Sequence, residues 1–189
     1  MEFIILRHWR GDSYLSTFVE QKMKRMAQKK SIAIIGATEK NGEEIATQLS
    51  QGEYDLLLIS NNKEALDHLS EKMKTYPSKA QINFVECVKD GCWEADIIIL
   101  AVPHNEEKMV AELMKEVATQ KIVVDFSNEE NAGEGLCQIL PYSKLVRVSG
   151  DFTSKNIMVS GGGESVNKEI SEIFIQAGYH LSITNNVTI

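Results

Sequence analysis

The 189-residue sequence carries a net charge of −7 at pH 7, with 43% hydrophobic and 25% charged residues. This acidic balance argues against a nucleic-acid partner, because neutralising phosphates requires a basic surface. No apolar run reaches the ~18 residues of a membrane span, and the three cysteines, which form no CxxC pair, and the scattered histidines offer no metal-ligand spacing. We therefore expect a cytoplasmic protein that binds no metal, membrane or nucleic acid.

Residues 1–30 are predicted to form a helical N-terminal extension. A basic stretch, "KMKRMAQKK", ends it, and the apolar residues before and within this stretch fall roughly on one helical face: Leu15, Phe18, Val19, Met23 and Met26. The pattern favours a helix that packs on its own domain or on a second copy, and we expect a homodimer. The alternative is an arm that binds a membrane surface or an acidic partner.

From residue 31 onward, apolar strands alternate with amphipathic helices. The predicted strands are "SIAIIG", "YDLLLIS", "QINFVE", "ADIIILAV", "KIVVDFS", "KLVRVS", "NIMVSGGG" and "YHLSIT". The predicted helices are "EEIATQLSQG", which Gly52 is expected to cap, "NKEALDHLSEKMKTY", "NEEKMVAELMKEVA", "GEGLCQIL" and "VNKEISEIFIQAG". Near-continuous apolar strands are typical of parallel strands buried on both faces. The alternation predicts one Rossmann-like, doubly wound α/β domain over residues 31–189, with a mostly parallel sheet.

The loop between the first strand and the first helix has the features of a dinucleotide-phosphate turn. Gly36 and Gly42 fit the first and last glycines of that turn, which permit a tight bend and close packing of the helix. Glu39 stands where a middle glycine is usual, so the pattern is G-x-x-G-x-x-G. We predict that the loop binds the cofactor through Gly36, Ala37, Thr38, Glu39, Lys40, Asn41 and Gly42. The alternative is a plain strand-to-helix turn that binds nothing.

The end of the second strand predicts NADP rather than NAD. An NAD site usually has an acidic residue here for the ribose diol, whereas this chain has Ser60, Asn61, Asn62 and Lys63. These side chains can all donate hydrogen bonds to a 2′-phosphate. The alternative is that Asn61 and Asn62 only turn the chain and cap the next helix.

Five segments in order resemble a known family. They are "IAIIGATEKNG", "ADIIILAVPHNEEKMV", "KIVVDFSN", "LCQILPYSKLVRV" and the C-terminal "IMVSGGGESVNKEISEIFIQAGYHL". Together they resemble the deazaflavin coenzyme-dependent NADP oxidoreductases, which are similar to the reductase domain of the six-transmembrane metalloreductases. The resemblance covers about residues 31–185.

This resemblance implies hydride transfer between NADP (or NAD) and a small-molecule electron acceptor of the flavin or deazaflavin type. Ala101, Val102 and Pro103 would line the cofactor crevice at the end of the fourth strand, where open α/β sheets bind ligands. His104 would contact the nicotinamide ribose or a phosphate, or simply begin a helix. Asn128 would orient the carboxamide or hold its loop. No catalytic residue is predicted.

The sequence departs from the family pattern at three places. Glu39 replaces the middle glycine, Asn61 and Asn62 replace a basic pair, and residues 149–151, "SGD", replace "FNT" beside the nicotinamide. Asp151 would then lie near the nicotinamide or be a solvated loop acid. These departures leave a second hypothesis open, a non-catalytic nucleotide-binding or assembly protein.

Overall fold

The structure, a computed structural model, describes residues 29–128, 133 and 135–183. The helices within these ranges are α1 Lys40–Leu49, α2 Lys63–Lys74, α3 Val88–Glu94, α4 His104–Met114, α5 Leu136–Ile139 and α6 Glu164–Gln176. The strands are β1 Ser31–Ile35, β2 Asp55–Ile59, β3 Gln81–Val85, β4 Ile97–Leu100, β5 Ile122–Phe126, β6 Lys144–Asp151, β7 Asn156–Gly161 and β8 His180–Ile183.

All eight strands form one sheet with the order β3-β2-β1-β4-β5-β6-β7-β8. Strands β1 to β6 are mutually parallel, β7 is antiparallel to β6, and β8 is parallel to β7. The strand order reverses between β1 and β4, which opens a crevice at the carboxyl ends of these strands. The predicted Rossmann-like α/β fold with a mostly parallel sheet is confirmed.

The central strands hold the sheet together because their residues are buried on both faces. Ile32 and Ile34 of β1 pack into one hydrophobic cluster, whereas Ala33 and Ile35 pack into a second cluster on the opposite face. All four residues of β4 are also buried. Such strands read as continuous apolar runs in sequence, since neither face meets water.

Helix α3 was not predicted. It has seven residues, "VKDGCWE", and its buried residues are Gly91 and Cys92, so it shows little helical periodicity in sequence. A Cβ at position 91 would lie 2.4 Å from Cδ1 of Ile59. The glycine therefore lets this short helix approach the sheet closely. The predicted cap of α1 was also wrong, because the helix ends at Leu49 with Ser50 as its C-cap rather than Gly52.

The antiparallel direction of β7 places its "SGGG" end at the edge opposite the crevice. Gly161 pairs with Val146 near the start of β6, and Gly161, Gly162 and Gly163 all have positive φ angles. This segment is thus a turn remote from the crevice.

The predicted helix at residues 15–26 lies outside the described residues, so the division of the chain at residue 30 stays a prediction. Among the helices that are described, none combines the length and apolar character needed to cross a membrane.

Candidate functional site

Two adjoining hollows lie at the carboxyl ends of the central strands. The β2-side hollow is lined by Ile35, Gly36, Thr38, Glu39, Ile59, Ser60, Asn61, Val88, Val102, Glu106, Met109, Val110 and Leu113. The β5-side hollow is lined by Glu39, Lys40, Asn41, Ala101, Val102, Pro103, Phe126, Ser127 and Asn128. Glu39 and Val102 line both, so together the hollows form one elongated cleft across the β1–α1 loop.

Most residues predicted to bind the cofactor line this cleft. The five that line neither hollow are Ala37, Gly42, Asn62, Lys63 and His104. Sequence reasoning missed the apolar wall formed by Val88, Met109 and Leu113. Met109 and Leu113 are four residues apart on α4 and remain 56% and 46% exposed. That spacing of apolar residues on an exposed helical face was the available signal.

The β1–α1 loop is restricted to glycine at both of the positions expected from the sequence. Gly36 has φ +81°, and a Cβ there would lie 2.7 Å from the carbonyl oxygen of Ala101. A Cβ on Gly42 would lie 1.9 Å from the carbonyl oxygen of Gly36. The loop, the start of α1 and the end of β4 are therefore packed backbone against backbone, which leaves no room for side chains.

Glu39 stands at the N-cap of α1, but its carboxylate does not cap the helix. Its φ and ψ angles are −74° and 157°, its side chain makes no capping hydrogen bond, and it is exposed. The first N–H groups of a helix have no intrahelical acceptor, and here Glu43 donates the first helical bond, to the Glu39 carbonyl at 2.8 Å. The amides of Lys40, Asn41 and Gly42 thus precede the helical ladder, as in an anion-binding helix start.

Hydrogen bonds connect the β1–α1 loop to the end of β2. The hydroxyl oxygens of Thr38 and Ser60 lie 2.8 Å apart, and Ser60 Oγ also accepts the Asn62 N–H at 3.2 Å. Asn62 Oδ1 accepts the Ala65 N–H at 3.0 Å and so caps α2. Of the two roles expected for Asn62, the capping role is the one that the structure displays.

Lys63 follows at the start of α2 and forms an exposed ion pair. Its Nζ lies 3.0 Å from a carboxylate oxygen of Glu86, just beyond β3. The hydrogen bond to Glu86 raises the pKa of Lys63 above its ordinary value. The ammonium group therefore stays charged beside the end of β2.

On the β5 side, two polar side chains near the cleft accept hydrogen bonds from backbone N–H groups. Asn128 Oδ1 accepts the Gly150 N–H at 2.7 Å, so Asn128 ties the end of β5 to β6. Asp151 Oδ1 accepts the N–H groups of Thr153 and Ser154 at 3.0 and 3.2 Å, and its bonds to Ser154 lower its pKa. Asp151 is exposed and holds the turn between β6 and β7.

A buried charged cluster, which sequence reasoning missed, lies beside the β5-side hollow. Glu107 on α4 is 1% exposed, and its Oε2 accepts the Gly133 N–H at 3.0 Å and lies 3.0 Å from His104 Nδ1. Asp125 on β5 is 5% exposed and lies 4.0 Å from Nε of Arg147, its cross-strand neighbour on β6. Burial is the main cause that raises the pKa of Asp125 to about 7, and the nearby Glu107 carboxylate is the second cause. Asp125 is therefore a buried strand residue.

The described part of the chain contains no group of three or more His, Cys, Asp or Glu side chains arranged to hold a metal ion.

Comparison with known proteins identifies a protein family that has this fold and loop. Residues 31–129 match the family described as NADP oxidoreductase, coenzyme F420-dependent. A comparison with curated protein sequences gives no match.

Several solved structures share the fold at low sequence identity. A protein from Arthrobacter sp. FB24, assigned as an F420-dependent NADP reductase, has a TM-score of 0.63 at 16% identity, over 80% of this chain and 82% of that one. A diketoreductase has a TM-score of 0.69 at 15% identity, over 86% and 66% of the two chains. Pyrroline carboxylate reductase from Plasmodium falciparum, solved with NADP, has a TM-score of 0.60 at 13% identity, over 82% and 58%. The chain thus spans less than two thirds of the last two proteins.

Proposed function

The chain belongs to the coenzyme F420-dependent NADP oxidoreductase family, and we propose that it transfers a hydride between NADP and a deazaflavin or flavin-like acceptor. Family membership makes it an NAD(P)-dependent oxidoreductase with a nucleotide cofactor of the NAD(P) type. The observation that carries the proposal is the loop in which Gly36 and Gly42 pack against backbone at 2.7 and 1.9 Å. Such packing allows a pyrophosphate to approach the amides at the start of α1.

The β2-side hollow fits the adenosine end of the nucleotide. Val88, Met109 and Leu113 supply an apolar wall for the flat base, while Ser60 and Asn61 supply polar groups near the ribose. Ligand sites in proteins commonly combine an apolar lining with a few placed polar groups. Exposed Met109 and Leu113 side chains would be covered once adenine is bound.

The β5-side hollow fits the nicotinamide end. Pro103, Phe126 and Asn128 line it at the carboxyl ends of β4 and β5. The bound nicotinamide supplies the hydride chemistry, while these residues position the ring and exclude water from one of its faces. Asn128 acts here by fixing the backbone of Gly150.

We assign the 2′-phosphate preference to Lys63. The end of β2 has no acid that would repel a 2′-phosphate, and Lys63 is held there by Glu86 at 3.0 Å. An exposed ion pair of this kind is weak because water screens it, so a doubly charged phosphate would displace Glu86 from the ammonium group.

Titration with NADPH and NADH, followed by nicotinamide fluorescence, tests the cofactor assignment. Lys63→Ala should weaken NADPH binding about 3- to 10-fold and leave NADH binding nearly unchanged, since one charge contact at a surface is weak and only NADPH carries the 2′-phosphate. Glu86→Gln should strengthen NADPH binding slightly. Lys74→Ala is the matched control, because Lys74 is another exposed α2 lysine, paired with Glu71. Equal losses for both nucleotides would refute the 2′-phosphate assignment, and no binding of either would refute the proposed function.

A non-catalytic nucleotide-binding or assembly protein is the second candidate. Two observations favour it: Glu39 lies at the centre of the cleft, and Asp151 is engaged in a turn where the family has "FNT". Anaerobic incubation with NADPH and either coenzyme F420 or riboflavin distinguishes the two. Nucleotide binding without oxidation of NADPH by either acceptor would support the non-catalytic alternative.

We also propose that the protein is a cytoplasmic homodimer. The dimer rests on the family resemblance and on the apolar stripe within residues 15–26, and the location rests on the odd number of cysteines, which suits a reduced cytosolic protein. Light scattering on the full chain tests the dimer, and a monomer over the whole concentration range would refute it. Cell fractionation tests the location, and recovery of the chain in membrane pellets would refute it.

A further inference from the structure

His104 and Glu107 form a linked pair beside the β5-side hollow. His104 is the first residue of α4 and directly follows Pro103, which lines the β5-side hollow. Its Nδ1 lies 3.0 Å from Glu107 Oε2, and the two side chains are 30% and 2% exposed. The imidazole thus has one edge against a buried carboxylate and another open to solvent.

Glu107 is fixed so that it acts as a hydrogen-bond acceptor. The same Oε2 atom accepts the Gly133 N–H at 3.0 Å, and its carboxylate faces Asp125 on the neighbouring strand. When the Glu107 carboxylate accepts a hydrogen bond from His104 Nδ1, the single ring proton of the neutral imidazole must lie on Nδ1. Nε2 is then the ring nitrogen that gains and loses a proton, and among the described residues it has no hydrogen-bond partner.

We propose that His104 donates, from Nε2, the proton that accompanies hydride transfer, and that Glu107 positions its ring for this step. The inference rests on the proposed function and narrows its substrate class. The acceptor takes up a hydride at carbon or nitrogen and a proton at oxygen or nitrogen, as carbonyls, imines, flavins and deazaflavins do. Ferric chelates, which take one electron and no proton, fall outside this class.

The step balances without a further reactant. The C4–H bond of the reduced nicotinamide breaks and its electron pair forms the new bond at the acceptor. The Nε2–H bond of the imidazolium breaks, its electrons stay on nitrogen, and the acceptor heteroatom gains the proton. The products are oxidised nicotinamide, reduced acceptor and neutral His104 with its proton on Nδ1, and solvent then reprotonates Nε2.

Charged groups from three neighbouring elements lie around the His104 ring. Glu107 on α4 and Asp125 on β5 face the ring with carboxyl groups, and Arg147 on β6 lies on the far side of Asp125 at 4.0 Å. The ring therefore meets the carboxyl groups of the cluster and not its guanidinium group.

Single-turnover oxidation of NADPH by coenzyme F420 and by riboflavin, without oxygen, tests the proposal. His104→Gln should slow hydride transfer about 100-fold, the lower end of what a positioned acid contributes, and leave NADPH binding unchanged. In the wild type the rate should fall as pH rises and the imidazolium is lost, and this limb should be missing in the variant. His180→Gln is the control, because His180 is exposed on β8 at the far edge of the sheet.

Nitrogen-15 NMR of the histidine rings gives a readout that needs no cofactor. The neutral form of His104 should show the proton on Nδ1, and Glu107→Gln should weaken that preference and slow turnover without changing NADPH affinity. A proton on Nε2, or unchanged turnover in His104→Gln, would overturn this inference alone. Failure of the wild type to oxidise NADPH with either acceptor would overturn the proposed function, and this inference with it.

Discussion

Glu39 should weaken nucleotide binding, and its removal should strengthen it. The carboxylate is exposed and lines both hollows, so a bound pyrophosphate would lie beside it. Two like unit charges ~4 Å apart repel by about 1 kcal/mol in water and by about 4 kcal/mol near a protein surface. Because Glu39 is open to solvent, the lower part of this range applies. Glu39→Gln should therefore tighten NADPH binding by about 1–2 kcal/mol, or roughly 5- to 30-fold.

The salt dependence of binding separates this electrostatic effect from a change in loop shape. The Debye length falls from about 10 Å at 0.1 M salt to about 3 Å at 1 M, so the advantage of Glu39→Gln should shrink several-fold in high salt. Glu164→Gln is the matched control, because Glu164 begins α6 at the edge opposite the cleft. Unchanged NADPH affinity in Glu39→Gln at low salt would refute the idea that the carboxylate faces the phosphates.

Two further predictions concern stability and are measured by urea unfolding. Gly42→Ala should destabilise the fold by ~2 kcal/mol or more, because the new Cβ meets a backbone oxygen at 1.9 Å. Gly91→Ala should cost far less, since its Cβ meets side-chain atoms and not backbone, the nearest being the terminal Cδ1 of Ile59 at 2.4 Å. Equal losses of stability in the two variants would contradict this reasoning. Burial raises the pKa of Asp125 to about 7, so the unfolded chain releases this proton at lower pH than the folded chain, and its contribution to stability falls as pH rises from about 4 to about 7. Asp125→Asn should therefore gain on the order of 2–4 kcal/mol relative to wild type between about pH 5 and about pH 8, and a constant difference would show that Asp125 is ionised throughout.

The sequence predicted those parts of the fold that apolar periodicity encodes. Every strand was predicted, because strands such as β4 are buried on both faces and appear as unbroken apolar runs. Helix α3 was not predicted because seven residues with two buried positions show almost no helical periodicity. The reversal of β7 was not visible either, since a strand has the same pattern in both directions.

The site was predictable only where backbone geometry dictates residue type. Gly36 and Gly42 stand out in sequence because no other residue fits their contacts. The pair formed by Glu107 and Asp125 was missed because the two residues are far apart in the chain and meet only when α4 packs beside β5. Asn62 and Asn128 have polar side chains of the expected type, but in the structure their side-chain oxygens accept hydrogen bonds from backbone N–H groups.

The reversal of chain direction at β7 has a practical consequence for attaching the protein to other objects. Strand β1 begins at the edge of the sheet opposite the cleft, and β8, which runs parallel to β7, finishes at that same edge. A bead, an electrode or a fused reporter joined directly before β1 or directly after β8 would therefore be attached at the edge of the sheet opposite the cleft. Molecules immobilised at either of these points would present the cleft on the side away from the attachment.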